Sequence, residues 1–328
     1  MGRKLDYGVV GGKGLSYSRR QTLNSCPRKF QLENIYNLGL RDDSNVDFAF
    51  GHAVGAGVQH LLWQPHDLHG AVIRCAAAWD IDILIDNIKA NKSLAHAVRA
   101  VKIFHQMVSS VGGFLRDYEI AIFNGKPAIE LTFCIHLHDG FLYEGHIDVI
   151  LFNPKTNHYL VVELKTTKFN NIHESMYKNS SQALGYSIVL DSIAADHGAQ
   201  NSYYVMYLVY KTGAMLFEQF LFPKSRYQRA KFLNDLLLDC ERLDLYALAN
   251  HYPQQGEACF NFFRPCQFLD TCNLSDESLL NLTKELAGSD DTPFSKMTSF
   301  DFEYTIEDIK QQQLQIIKDE VIASDSTT

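Results

Sequence analysis

Hydrophobic positions recur at helical spacing through the first third of the chain and switch to strict alternation near residue 128. "YSRRQTLNSCPRKFQLENIY" (17–36) has helix-like apolar spacing interrupted near Pro27, and "FAFGHAVGAGVQHLLW" (48–63) and much of 71–115 share that spacing. Glycines at 51, 55 and 57 weaken the helical expectation for the second of these segments. In "AIELTFCIHLH" the period becomes two. Ile129, Leu131, Phe133, Ile135 and Leu137 take one face, and Glu130, Thr132, Cys134, His136 and His138 take the other. Asp139-Gly140 predicts a two-residue hairpin turn, "FLYEGHIDVILF" a second strand, "NPKTN" (153–157) another turn, and "HYLVVELKTT" a third strand. The result is an antiparallel meander.

Downstream, the pattern predicts a helix over about 172–195, strands at "SYYVMYLVY" and "MLFEQFLF", and an amphipathic helix over about 224–249. The cysteine-rich "ACFNFFRPCQFLDTC" (258–272) follows, then a polar end with one helix near 305–320. This reads as an α/β chain in three parts: a mainly helical region over 1–127, a core over 128–272, and an acidic, flexible tail over 273–328.

Composition narrows the class more than the function. The 328 residues suffice for one large or two ordinary domains, and the 46% apolar content is that of a globular protein. The most apolar stretch, "AAAWDIDILIDNI", is broken by Asp80, Asp82 and Asp86, so no membrane span is expected. The start, "MGRKLDYGVVGGKG", lacks a signal-peptide core, and Asp6 breaks the myristoylation pattern. The expected location is cytoplasmic, where seven cysteines point to metal, redox or core use rather than disulfides. Net charge is −8, yet residues 274–328 hold 12 acidic and 4 basic residues and so carry all of it. The neutral remainder leaves room for basic patches at Arg19-Arg20 and Arg28-Lys29, and composition neither supports nor excludes DNA. "GVVGGKG" (8–14) does not match the phosphate-loop spacing.

The chemistry gathers on the meander. Glu163 and Lys165 lie two apart on the third strand and so share a face, which a surface ion pair would also explain. Asp148, on the second strand, can sit beside Glu163. Two buried carboxylates repel and lose hydration unless a cation joins them. Mg²⁺ uses one or two carboxylates, waters and substrate phosphate oxygens, and a neighbouring lysine can steady developing phosphate charge. Such a set fits metal-dependent phosphodiester hydrolysis.

"GHIDVI" followed by "VVELKT" resembles the PD-(D/E)XK nuclease superfamily. "SQALGY", with Gln182 and Tyr186 on one helix face, resembles the QxxxY motif of its RecB-like branch, and "LSYSRRQTLNSCPRKF" resembles that branch's entry helix. The resemblance covers roughly residues 15–272. It implies a restriction-endonuclease-like mixed sheet and a DNA exonuclease for recombination, repair or phage DNA processing, with any translocation left to a helicase or recombination partner or to processive threading. In that reading Asp148 and Glu163, with Glu130, hold Mg²⁺ or Mn²⁺. Lys165 assists the attacking water, and Gln182 and Tyr186 position substrate or water. A polar strand face explains Glu130 almost as well. His136 and His138 share its face and read as a zinc pair or as surface histidines. The branch commonly has a metal-binding histidine where this chain has Gly55, with His52 and His60 on nearby turns. A catalytically weak, nuclease-like DNA-binding subunit is therefore the alternative.

Cys259, Cys266 and Cys272 lie close together in sequence, and Cys26 is the natural fourth ligand of a soft-metal site. Cys75, Cys134 and Cys240 are expected in the core. AddB-type and CRISPR-associated members of the branch hold a [4Fe–4S] cluster with one N-terminal and three C-terminal cysteines. The resemblance thus implies a cysteine-clasped C-terminus around such a cluster, with zinc as the alternative.

Overall fold

The computed structural model describes residues 13–38, 46–79, 91–110, 115–196, 204–261, 264–275, 277–279, 281–282 and 300–311. The glycine-rich start and most of the predicted tail, including the greater part of its helix, lie outside the described residues. The chain divides into two compact units, one of Met1–Arg41, Thr132–Gly145 and Lys231–Asp308, the other of Asp42–Leu131, His146–Ala230 and Ile309–Thr328.

In the first unit, β1 (Gly14–Leu15) leads into α1 (Tyr17–Ser25), α2 (Pro27–Phe30) and a π-helical turn at Gln31–Ile35. The interruption read at Pro27 is a double cap. Ser16 Oγ accepts the Arg19 N–H at the start of α1, and Cys26 ends that helix while its Sγ accepts the Lys29 N–H of the next. Proline at the first helical position costs nothing there, because its missing N–H would have had no partner. Arg20 and Asp239 form a buried ion pair at 2.6 Å, and the Arg20 guanidinium stacks on Phe232, 4.7 Å from its centroid. Asp239 and Phe232 belong to the long helix α8 (Arg226–Ala249).

The Asp139-Gly140 turn has φ of +54° and +76°, as a two-residue hairpin needs. Beyond the small antiparallel pair β10 (Phe260–Asn261) and β11 (Arg264–Pro265), within the acidic segment, β12 (Phe302–Thr305) pairs in parallel with β5 (Ile129–His136), and Asp301 accepts both the backbone N–H and the hydroxyl of Thr132. This part of the segment expected as a tail is a strand because its Phe-Glu-Tyr-Thr alternation matches the pleat of β5.

The second unit holds three helices, α3 (Val46–Trp63), α4 (Leu68–Ala77) and α5 (Leu94–Ser109). Next come β2 (Glu119–Ile120), the small β3 (Ile122–Phe123) and β4 (Lys126–Pro127) hairpin, and the start of β5. Its sheet runs in the order β6 (Leu142–Asn153), β7 (His158–Thr167), β8 (Tyr204–Lys211), β9 (Leu216–Pro223), with β2 on β6. The β6–β7 pair is antiparallel across the turn where Asn153 Oδ1 accepts the Lys155 and Thr156 N–H groups. The β7–β8 pair is parallel, and the crossover it requires is supplied by α6 (Ser175–Lys178) and α7 (Ser181–Asp196). Both central strands are therefore apolar runs rather than alternating ones.

Helices α3 to α5 cover the sheet through Phe50, Val54, Val58, Val101 and Phe104 against Val149, Val162 and Leu208, all buried. Gly57, which weakened the helical expectation, is the close crossing point of α3 and α5. A Cβ there would fall 2.4 Å from Val101 Cγ2, so the helix accepts glycine's lower propensity for closer packing. Among the described residues, no helix is long and apolar enough to cross a membrane. Cys75, Cys134 and Cys240 are each 0% exposed, as expected for core residues.

Candidate active site

The β6–β7 ladder pairs Val149 with Val162, so one further step sets Asp148 opposite Glu163. There the ladder gives way to a side chain: Asp148 Oδ2 accepts the Leu164 N–H at 2.8 Å. Glu163 is 2% exposed. Its Oε1 accepts from the Lys165 ammonium and, at 2.7 Å, from the Gln182 amide. The same amide donates its other hydrogen to the Tyr186 hydroxyl at 2.8 Å, and that hydroxyl also bonds Glu163. Gln182 and Tyr186 lie one turn apart on α7, so the crossover helix brings both to the last buried residue of β7.

Burial, reinforced by Glu163 and Glu130, holds the Asp148 carboxyl well above the ordinary range, against the pull of the Leu164 N–H and Lys165. Burial and the nearby carboxylates likewise keep Tyr186 a neutral phenol. Glu163 Oε2 is buried and has no hydrogen-bond partner among the described residues. A crowded, partly unsatisfied set of hard oxygens fits a divalent cation such as Mg²⁺ or Mn²⁺, which would hold Asp148 and Glu163 ionised.

The set opens into a cavity of about 770 Å³, lined on one side by α3 and on the other by the end of β7. Glu130 lines it with φ of +51°, a kink at the start of β5 that leaves its carboxylate to accept from Gln59. Gln59, which pattern reading missed, is 9% exposed. It stands one helical turn beyond Gly55, and that spacing is the signal that could have found it. Gly55 also lines the cavity, and a Cβ there would meet no atom within 4 Å. His52 is on this wall as well. His60 is turned away to Asp67, the cap of α4, at 2.9 Å. His136 faces Glu303 at 3.8 Å and His138 faces Asp139 at 3.3 Å, which suits surface histidines and not a zinc pair.

The four cysteines all belong to the other unit. Cys266 N–H donates to the Cys259 carbonyl at 2.8 Å, and Cys266 and Cys272 pack on the small core of Leu32, Tyr36 and Phe268. Arg28 donates to the Cys272 carbonyl at 3.1 Å, tying the segment after Cys26 to the C-terminal stretch. Burial pushes the Cys272 thiol up, and Cys26 and Cys259 lie close enough to add to that push. The thiols thus share one neighbourhood. Among the described residues, however, no three His, Cys, Asp or Glu side chains are gathered into a group that could hold a metal ion, at this cluster or at the carboxylates.

A sequence model of the PD-(D/E)XK nuclease superfamily matches residues 14–273. No curated protein matches the chain. Among solved structures, one described as a "Putative exonuclease" from Eubacterium rectale is similar, at 10% sequence identity and a TM-score of 0.47. That match covers 84% of this chain and 99% of that chain. The family match takes in both strands that carry Asp148, Glu163 and Lys165 and the helix that carries Gln182 and Tyr186, and so the chain belongs to the PD-(D/E)XK nuclease superfamily.

Proposed function

We propose that the protein is a divalent-metal-dependent deoxyribonuclease of the RecB-like branch, acting as an exonuclease in recombination, repair or phage DNA processing. The observation that carries this reading is the buried Glu163. Lys165, Gln182 and Tyr186 crowd its carboxylate and Asp148 stands opposite, at the inner end of an open cavity. The contact of Gln182 and Tyr186 with Glu163 supports the RecB-like assignment, since it gives the two helical residues a common role.

Asp148 and Glu163, with Glu130 at the cavity wall, would hold Mg²⁺ or Mn²⁺. When bound, the metal supplies an activated water and neutralises charge on the phosphate. The Lys165 ammonium is 36% exposed and can donate to a phosphate oxygen or to the attacking water while it remains bonded to Glu163. Gln182 fixes the Glu163 carboxylate with one amide hydrogen and the Tyr186 phenol with the other, which limits rotation of both. Hydrolysis adds water across the P–O bond and leaves one phosphate and one hydroxyl end.

Cys26, Cys259, Cys266 and Cys272 would hold a [4Fe–4S] cluster, or zinc, as a structural tie between distant parts of the sequence. Their common neighbourhood supports this. The open space at Gly55 favours a second reading, a site lighter by one ligand and correspondingly slow.

One assay separates these readings. End-labelled single- and double-stranded DNA, with and without blocked 5′ or 3′ ends, is incubated with Mg²⁺ or Mn²⁺ and with chelator. Metal-dependent degradation that Lys165→Met lowers at least about a hundredfold is expected, the scale of a lost electrostatic contact. Inert wild-type protein across metals and DNA forms would leave the weak-subunit reading standing.

A further inference from the structure

Two phenylalanines on the wall of this cavity are left in water. Phe48, in the first turn of α3, is 66% exposed, and Phe169, just beyond β7, is 58% exposed. A single exposed aromatic residue is ordinary. Here two of them line the same cavity as Glu130, Asp148 and Glu163. Each stands at the far end of a wall that begins at the carboxylates. On α3, Phe48, His52 and Gln59 follow one stripe, with Gln59 bonded to Glu130 at its inner end. At the rise of an α-helix, Phe48 stands about 16 Å along the axis from Gln59. On the other wall, Glu163 and Lys165 share a strand face, Thr167 ends β7 about 13 Å from Glu163 at the rise of a strand, and Phe169 follows two residues later.

The walls approach each other between their ends, where a Cβ on Gly51 would lie 3.8 Å from Thr166 Oγ1. Lys168 adds a positive charge at this rim, with Nζ 5.6 Å from the centre of the Phe169 ring. An aromatic face beside a cation is the usual platform for a nucleobase whose phosphate must also be held.

We propose that Phe48 and Phe169 form a base-binding subsite, stacking on bases of the strand whose phosphate reaches the carboxylates. This rests on the nuclease reading above and sharpens its substrate. Within a duplex both faces of a base are already stacked, so the strand must be unpaired at this subsite. Phe48 and Phe169 are positioning residues that choose the form of DNA admitted to the site.

The test is fluorescence anisotropy in chelator, with a labelled single-stranded oligonucleotide, an abasic strand of the same length, and a dumbbell duplex closed at both ends by abasic loops. Loss of one stacked base is expected to weaken binding of the single strand roughly 5- to 150-fold in Phe48→Ala and in Phe169→Ala. Phe48→Trp and Phe169→Trp, which keep an aromatic face, are expected to bind within about threefold of wild type. Wild type is expected to bind the abasic strand and the duplex no better than the double alanine variant does.

Alanine variants that bind the normal strand like wild type overturn the subsite, as does equal affinity for the abasic strand. Failure of wild type to bind any oligonucleotide overturns it too. The nuclease reading fails separately. If base-dependent binding through the two phenylalanines persists but no metal supports cleavage, the subsite stands without the enzyme. Cleavage that is indifferent to both residues leaves the enzyme without the subsite.

Discussion

Asp148→Asn should stabilise the metal-free protein while removing its activity. Asp148 and Glu163 are cross-strand neighbours, and charges about 5 Å apart at an effective dielectric of about 20 repel by about 3 kcal/mol. Asparagine keeps the acceptor for the Leu164 N–H, so that bond survives with about half its charge-assisted strength, a loss of about 1 kcal/mol. Where Asp148 is ionised the balance is about 2 kcal/mol in favour of the variant, or a few degrees in melting temperature for a unit of this size.

Metal should reverse the order. A ligand at a hundred times its dissociation constant stabilises the state that binds it by about 2.7 kcal/mol, and only wild type retains both carboxylates. The pH dependence has a definite sign. Because the folded carboxyl titrates above its ordinary range, the unfolded chain ionises first. The stability contributed by the protonated carboxyl is complete below about pH 4 and is lost as pH rises towards the raised value. In chelator, wild type should lose stability across that window and Asp148→Asn should not. Scanning calorimetry with chelator and then with Mn²⁺, over a pH series, reads all three effects. An Asp148→Asn protein that melts below wild type in chelator at a pH above that raised value, where both carboxylates are ionised, would refute the carboxylate repulsion on which the metal assignment rests.

Two further outcomes follow from the geometry. Gly55→His should fold normally, since a Cβ there meets nothing within 4 Å, and should raise Mn²⁺ affinity at least about tenfold by adding an imidazole to the cavity wall. Unchanged affinity by titration calorimetry would place Gly55 out of reach of the metal. Cys26→Ser should lower the melting temperature and the bound iron, sulfide or zinc, whereas Cys75→Ser, at a buried core position, should leave metal content unchanged. Equal metal content in Cys26→Ser would remove Cys26 from the ligand set.

The meander was legible because its determinants are local. Period-two alternation sets the faces of β5, and Asp139-Gly140 and Asn153 close the two turns with side-chain and φ preferences that act within four residues. The parallel β7–β8 pair and the addition of β12 to β5 were beyond reach, because nothing near residues 204 or 302 encodes which strand each will meet. Gly57 misled for the same reason. Its helical cost is local, and the compensation, Val101 on another helix, is not.

The same distinction runs through the site. Glu163 and Lys165 share a face by strand geometry, Asp148 joins them through a short hairpin, and Gln182 and Tyr186 share a helix turn, so each relation could be read from spacing. Gln59, Phe48 and the cavity itself depend on how α3 is set against the sheet, which only the packing of Phe50, Val54 and Val58 decides. Spacing also left open whether Glu163 and Lys165 were a surface ion pair. Burial closes that question. An exposed pair gains little and keeps its hydration, whereas Glu163 is 2% exposed, with one oxygen crowded by donors and the other without a partner among the described residues. A carboxylate held that way costs stability that a lone lysine does not offset, and its placement opposite a second carboxylate raises the cost. A divalent cation would relieve both at once, and the open cavity beside them would give it, and a phosphate, a way in.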